Sequence, residues 1–119
     1  MGIIKEDVFL NETVNKISLN NQSGTVVALE CYVKKTKMDT KPERVGRTGN
    51  FPVGQTEILD LDALSIEEES YVSAYVNVDL LLDRRGHIWA KYKKGIGKKA
   101  EYVFTGSSVG TEVALHKIV

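Results

Sequence analysis

The sequence YVSAYVNVDL, residues 71–80, decides the fold class of this chain. Apolar and polar side chains alternate along it without a break, so every second side chain points to the same side. A period of two is typical of a β-strand that buries one face and exposes the other. The buried face of this predicted strand carries Val72, Ala74, Val76, Val78 and Leu80.

Two later segments, 88–92 and 99–104, continue the alternation. A three-residue loop at 95–97, with Gly97 in the left-handed conformation, pairs them as a hairpin in which 92 faces 100. The same matching of apolar sides pairs 76, 78 and 80 with 92, 90 and 88, which predicts three consecutive antiparallel strands. Their apolar side continues through Ile88, Ala90, Tyr92, Ala100, Tyr102 and Phe104. The outward face carries Tyr75, Asn77, Asp79, His87, Trp89, Lys91, Lys93, Lys99, Glu101, Val103 and Thr105.

A second hairpin is predicted between residues 14 and 33. A three-residue loop at 22–24 pairs 19 with 27 and 17 with 29, and it sets Lys16 opposite Glu30 on the polar face. The chain has a single cysteine, Cys31, and its inward position favours a small buried hydrophobe over a reactive thiol. The inward side chains of this hairpin are Ile17, Leu19, Val27, Leu29, Cys31 and Val33.

The remaining apolar segments are shorter. Residues 8–10 indicate either a first edge strand or an arm packed on the domain. Residues 55–61 predict a strand, followed by one helical turn within 60–65, and residues 111–119 predict the last strand. The inward side chains of the strand at 55–61 are Leu59 and Leu61.

Residues 34–54 differ from the rest of the chain. They contain both prolines and six of the cations, with almost no periodic apolar residue. We expect a long basic loop here, with a short edge strand near residues 44–48.

Length and strand count together predict the architecture. The 119 residues form one domain, 1–119, that can bury a core without disulfides. Seven to eight amphipathic strands need two sheets that cover one another, so we predict an antiparallel two-sheet β-sandwich. A small closed β-barrel is the alternative.

Charge and targeting signals limit the possible roles. The formal net charge is zero, but residues 57–69 carry six acidic groups and no cation, whereas residues 83–99 carry seven cations and one acid. No apolar run reaches the length of a signal peptide core or of a membrane span. We therefore expect a soluble chain that is cytoplasmic as synthesised, or one released without a cleavable signal.

Three strings carry a resemblance: VNKISLNNQSG at 14–24, VGQT at 53–56 and EYVFTGSS at 101–108. They resemble small single-domain β-sandwich proteins of microbes, many of them uncharacterised. The opening strand, the asparagine pair and the glycine turn also resemble the aegerolysins, small sandwich proteins that bind membrane lipids and partner with pore-forming proteins. This second resemblance covers about the first quarter of the chain. It implies a lipid-facing role and assigns no site residue.

The sequence predicts a protein that is not an enzyme and holds no cofactor or metal. His87 and His116 lie on different predicted strands, and neither has a cysteine or second histidine at metal-ligand spacing. Ser107 and Ser108 lack the strand–turn–helix context of a nucleophile, and the glycines at 95–97 precede no helix. The carboxylates of residues 60–69 match no calcium loop and indicate a solvated turn.

The outward face of the three predicted strands is the candidate site. Trp89 is the only tryptophan, and an indole among lysines suits a sugar, a lipid headgroup or a base. Lys93 opposite Lys99 would be an unfavourable pair that an anionic ligand relieves. The predicted ligand-binding residues are Trp89, Tyr75, His87, Lys91, Lys93 and Lys99.

Three functions compete for this face. The leading prediction is a binding module for an anionic or amphipathic ligand, such as a lipid headgroup on a membrane surface or a glycan. The alternative is a self-associating structural or assembly protein, a homo-oligomer that uses the same face or an edge strand. Nucleic acid is disfavoured by the zero net charge. In a further alternative, the N-terminal arm or the loop at 34–54 covers the face within the molecule.

Overall fold

The computed structural model describes residues 6–78, 82–107 and 110–119, which form ten strands and one turn of 3-10 helix. No helix within these ranges is long and apolar enough to cross a membrane. The strands are β1 (Val8–Val14), β2 (Lys16–Gln22), β3 (Val27–Lys34), β4 (Glu43–Arg47), β5 (Thr56–Asp60), β6 (Tyr71–Val78), β7 (Leu82–Arg84), β8 (Ile88–Tyr92), β9 (Lys99–Ser107) and β10 (Gly110–Ile118), and the 3-10 turn is Leu61–Ala63.

The strands form two sheets that pack face to face. Sheet A has the order β1-β8-β6-β3-β4, with β7 also paired to β6, and sheet B has the order β10-β9-β2-β5. Within the described residues neither sheet closes into a barrel, so the sandwich prediction is confirmed and the barrel alternative is wrong. Two details of that prediction are wrong. The described strands number ten and not seven to eight, and the pairs β1–β8 and β2–β9 are parallel and not antiparallel.

The core lies between the sheets, and the predicted inward side chains occupy it. Alternation puts one face of each strand inside, and burying these apolar side chains supplies the main driving force for folding. Cys31 is fully buried, and burial raises the pKa of its thiol to about 12, as expected for a hydrophobe. The core includes Val14, Ile17, Leu19, Val27, Leu29, Cys31, Leu61, Val72, Ala74, Val76, Ala90, Tyr92, Ala100, Tyr102 and Phe104.

The predicted hairpin at 14–33 is wrong, because β2 belongs to sheet B and β3 to sheet A. Lys16 therefore lies between Asp60 and Lys99 rather than opposite Glu30. The buried Asn21 side chain stabilises the connection from β2 in sheet B to β3 in sheet A. Its Nδ2 donates to the Thr25 carbonyl at 2.8 Å, and its Oδ1 accepts from the Ser23 amide at 3.0 Å. Two amphipathic strands can bring their apolar sides together either as neighbours in one sheet or as members of two sheets that face each other across the core. Alternation therefore does not distinguish a hairpin from a connection between sheets.

The predicted hairpin around residues 95–97 is wrong for the same reason, since β8 lies in sheet A and β9 in sheet B. The expected left-handed glycine is present, with φ of 73° at Gly97. Gly97 lies in the connection that leads from β8 in sheet A to β9 in sheet B. There the Asn15 side-chain oxygen accepts hydrogen bonds from the amides of Gly97 and Lys98, both at 3.1 Å. Asn15 in turn donates to Asp62, whose other oxygen accepts from the Tyr92 hydroxyl at 2.7 Å.

The antiparallel pairing of β6 with β8 is confirmed, but its register differs from the prediction. Val72 lies opposite Ala90, and the β7 partner of Val78 is Leu82. The chain between the β7 and β8 pairings passes Gly86, where a Cβ would lie 1.9 Å from the Ala74 carbonyl oxygen. The predicted positions Asp79 and Leu80 lie outside the described residues.

Residues 34–54 contain the expected edge strand, because β4 pairs with the edge of β3 that lies opposite β6. The segment also contributes a core residue that the sequence did not predict. Phe51 is almost fully buried and forms an isolated bridge with Val27, and the Thr48 hydroxyl accepts from the Leu29 amide at 3.0 Å. The loop is thus tied to sheet A at both ends. The helical turn expected after β5 and the last strand are confirmed.

Candidate binding face on sheet A

Five aromatic side chains lie together on the side of sheet A that points away from the core. Since Val72 and Ala74 of β6 point inward, Tyr71 and Tyr75 point outward, and β1, β3 and β8 add one aromatic side chain each. We call this group the aromatic face. Its members are Phe9, Tyr32, Tyr71, Tyr75 and Trp89.

The rings of the aromatic face form a continuous series of contacts. Tyr32 stacks on Tyr75 with 3.8 Å between ring centroids, and Tyr75 meets the edge of Trp89 at 6.3 Å. Phe9 lies nearly parallel to Trp89 at 6.2 Å and meets Tyr71 edge to face at 4.9 Å. Offset stacks and edge-to-face pairs are the arrangements that aromatic quadrupoles favour.

Trp89 lies on the predicted side of its strand, but the expectation that it is exposed is wrong. Its exposed fraction is 0%, because Phe9 of β1 lies beside it and the Lys34 ammonium lies 5.2 Å from its ring centroid. Tyr75, at 7% exposed, is also buried. The cover comes from within the molecule, chiefly from the N-terminal strand, so Trp89 supports the face and cannot stack on a ligand.

A cluster of charges around Asp7 lies beside Trp89, in the middle of the series of rings. The carboxylate of Asp7 pairs with Lys34 at 2.7 Å, with Arg85 at 2.5 Å and with Nδ1 of His87 at 3.3 Å. Burial acts to raise the pKa of Asp7, but Lys34, the nearby indole N–H and Arg85 outweigh it and hold the pKa below its ordinary value. That N–H lies near Asp7 without forming a hydrogen bond of regular geometry.

Two further lysines border the Tyr71 end of the face. The Lys37 ammonium lies 6.0 Å from the ring centroids of both Phe9 and Tyr71, and the Lys91 ammonium lies 5.9 Å from that of Tyr71. Lys91 also approaches Glu69 at 3.6 Å. These are cation–π distances, and both lysines retain accessible surface.

A second charge cluster borders the Tyr32 end. Glu30 is fully buried and accepts from Arg44 at 2.9 Å, with Arg47 at 4.0 Å. Burial is the main cause that raises the pKa of Glu30, and the neighbouring Asp83 adds to it against the opposing effect of Arg44. Asp83 also lies 3.4 Å from the Tyr32 hydroxyl. Both arginines are partly exposed, so this end also presents positive charge to solvent.

The structure brings together four of the six predicted site residues. Tyr75, Trp89, His87 and Lys91 lie at the outer side of sheet A. Lys93 follows β8, and its backbone amide donates to Val14. The predicted position of Lys99 opposite Lys93 is wrong, because Lys99 begins β9 in sheet B, where it pairs with Glu101 at 3.1 Å.

Sequence reasoning missed much of this face. Tyr71 shares the outward register with Tyr75, and Tyr32 and Lys34 share the outward register of β3, so alternation alone could have found all three. Phe9 carried no such signal, because nothing in a short apolar run indicates a parallel partner, and its partner Trp89 lies 80 residues later. Arg44 and Arg47 depend on the bulged pairing of β3 with β4.

Within residues 6–78, 82–107 and 110–119 no group of three or more His, Cys, Asp or Glu side chains could hold an ion. In the acidic segment 60–69, the Asp62 carboxylate accepts hydrogen bonds from Asn15, Tyr92 and the Gly95 amide. The hydrogen bonds from Asn15 and Tyr92 are the main causes that lower the pKa of Asp62.

Comparison with known protein families and with curated proteins finds no match to this chain. The resemblance to aegerolysins therefore stays a prediction.

Proposed function

We propose that this protein is a non-enzymatic binding module that recognises an anionic, amphipathic ligand through the aromatic face. One observation carries the proposal: five contiguous aromatic rings lie on the outer side of a sheet whose inner side already forms the core. Tyr71, Tyr75 and Trp89 are buried by their neighbours and hold the group together, so Phe9 and Tyr32, which are partly exposed, are the rings that a ligand would contact.

The exposed parts of the face suit such a ligand. Phe9 and Tyr32 remain partly exposed, and four accessible cations, Lys37, Lys91, Arg44 and Arg47, surround the rings. Aromatic side chains favour the interface between apolar and aqueous surroundings, and lysine and arginine favour anionic headgroups. These residues take the ligand-contacting role that the sequence assigned to Trp89 and Lys99.

Co-sedimentation with vesicles tests the proposal. The protein should bind phosphatidylcholine vesicles that contain phosphatidylserine and should not bind pure phosphatidylcholine. Each lysine near an anionic surface contributes about 1 kcal/mol, so replacing both Lys37 and Lys91 by glutamate should weaken binding by at least about thirtyfold. A parallel titration with a sulfated oligosaccharide separates a lipid headgroup from an acidic glycan as the source of the negative charge.

The matched control replaces Lys16 and Lys117, which belong to sheet B, by glutamate and so makes the same change in net charge. It should bind nearly as well as the wild type. Equal losses of affinity in both variants would show that overall net charge, and not the aromatic face, causes the binding. Failure of the wild type to bind either vesicles or oligosaccharide would refute the proposal.

Self-association is the second candidate, and the length of β10 favours it. This strand has nine residues and, in the described part of the chain, pairs only with β9, so its other edge can accept a strand from a second copy. Light scattering over a range of concentrations separates the two candidates. A Trp89→Ala variant is unsuitable for that purpose, because the sealed indole is needed for packing.

A further inference from the structure

Four side chains of sheet A direct nitrogen atoms at the carboxylate of Asp7, which lies just before β1. Its Oδ2 accepts from Lys34 at 2.7 Å and from Arg85, and its Oδ1 lies 3.3 Å from Nδ1 of His87. The indole N–H of Trp89 lies beside the same carboxylate. We call these four side chains the nitrogen cluster. They come from β3, from the connection between β7 and β8, and from β8 itself, so separate elements converge on one anion.

Two members of the nitrogen cluster are buried. The Lys34 side chain is 7% exposed and Trp89 is 0% exposed. A buried ammonium group without an anion is costly, so the cluster requires a negative charge at this position. The Trp89 N–H has no hydrogen bond of regular geometry within the described chain, so Asp7 does not satisfy every donor. An oxyanion with a third oxygen, such as a phosphate group, can accept from this donor as well.

The charge of the nitrogen cluster also fits phosphate better than a carboxylate. Lys34 and Arg85 supply two positive charges, and Asp7 supplies one negative charge. A phosphate monoester carries a charge of about −1.5 to −2 near neutral pH and balances both cations. The Arg85 side chain is 43% exposed, so this side of the cluster is open to solvent.

Asp7 belongs to a segment that few contacts hold in place. In β1 only Val8 and Phe9 pair with β8 before the register shifts, and the pairing resumes at Thr13. Val8 is 47% exposed, so its side chain anchors the segment poorly. Residues 6–8 can therefore withdraw Asp7 from the nitrogen cluster while Phe9 stays beside the indole.

We propose that the nitrogen cluster is the binding site for a phosphate-like oxyanion headgroup and that Asp7 occupies it as an internal competitor. The headgroup replaces the Asp7 carboxylate beside Lys34 and Arg85, and it also accepts from the Trp89 N–H. Its apolar body lies against the partly exposed Phe9. This inference rests on the proposed function, because the aromatic face supplies the apolar contact.

Hexyl phosphate, inorganic phosphate and hexanol are the probes that test the site. The NMR resonance of the indole N–H reports on it directly, because Trp89 is the only tryptophan. Hexyl phosphate should shift this resonance, and hexanol at the same concentration should not. Inorganic phosphate should bind more weakly than hexyl phosphate, since it has no apolar body. Equal affinities of these two would overturn the assignment to an amphipathic ligand.

Asp7→Ala removes the internal competitor. The wild-type affinity is reduced by the fraction of molecules in which Asp7 has left the site, so the variant should bind hexyl phosphate at least about tenfold more tightly in calorimetry. Glu12→Ala is the matched control, because it removes the same charge from an exposed position of β1, and it should leave the affinity unchanged. If Asp7→Ala unfolds without a ligand, hexyl phosphate should restore the fold by replacing the missing anion.

A second pair of variants tests whether the cations hold the headgroup. Adding Arg85→Gln to Asp7→Ala should remove most of the gain in affinity, because it deletes an accessible cation of the nitrogen cluster. Adding Arg84→Gln instead makes the same change in charge at the exposed neighbouring residue and should preserve the gain.

Three results would overturn the inference. These are an indole resonance that hexyl phosphate does not move, an Asp7→Ala variant that neither binds hexyl phosphate more tightly nor refolds with it, and equal losses from the Arg84 and Arg85 changes. Vesicle binding that depends on Lys37 and Lys91 would then still support the aromatic face. Conversely, tight binding of hexyl phosphate without binding of vesicles or oligosaccharide would refute the proposed function and leave the oxyanion site in place.

Discussion

At the scale of single residues, Gly97 determines how the chain crosses from sheet A to sheet B. Its φ of 73° lies in the left-handed region, which costs other residues about 1–2 kcal/mol. We expect Gly97→Ala to lower the free energy of unfolding by about 1 kcal/mol in urea denaturation. Gly24→Ala is the control, since Gly24 has no positive φ and a Cβ there meets open space. Equal stability of the two variants would contradict this reading.

At the scale of elements, Gly86 determines how β7 and β8 share the edge of β6. An alanine Cβ there would lie 1.9 Å from the Ala74 carbonyl oxygen, and backbone atoms cannot move aside cheaply. Gly86→Ala should therefore destabilise the fold by about 2–4 kcal/mol, measured by thermal unfolding. Gly49→Ala, which meets nothing within 4 Å, should be nearly neutral. A small effect at Gly86 would mean that β7 and β8 can readjust their register.

At the scale of the whole molecule, buried carboxyl groups set the dependence of stability on pH. Burial raises the pKa of Glu30 above its ordinary value of 4.5, so above that pH the folded chain binds more protons than the unfolded chain. Stability from this group is therefore complete below 4.5 and is lost as pH rises through the folded pKa. Asp7 has a lowered pKa and acts oppositely, losing its contribution as pH falls below its ordinary value of 3.8.

Glu30→Gln isolates the Glu30 contribution. Urea denaturation between pH 4 and 8 should show wild-type stability falling relative to the variant as pH rises above about 4.5. A constant difference across the whole range would show that Glu30 titrates alike in the folded and unfolded chains.

The candidate site could be predicted only in part. Alternation correctly put Tyr75, Trp89 and Lys91 on the side of their strands away from the core, because side-chain direction is a local property of a strand. Burial of Trp89 depends on Phe9 and Lys34, which reach it from β1 and β3. The exposed fraction of Trp89 is thus a property of the assembled sheet, and it cannot be predicted from the sequence of β8 alone.

The sequence by itself determined most of the strand segments, which of their faces are apolar and, from these, the two-layer architecture, but it did not predict β7. Only the tertiary structure decided which sheet each strand joins, that two pairs run parallel, and that residues 16–22 and 27–34 lie across the core from each other. The physical reason is that both sheets bury their inner faces in the same core. A strand satisfies its apolar side equally well in either sheet, and the choice depends on turns and hydrogen-bonded side chains such as Asn15 and Asn21.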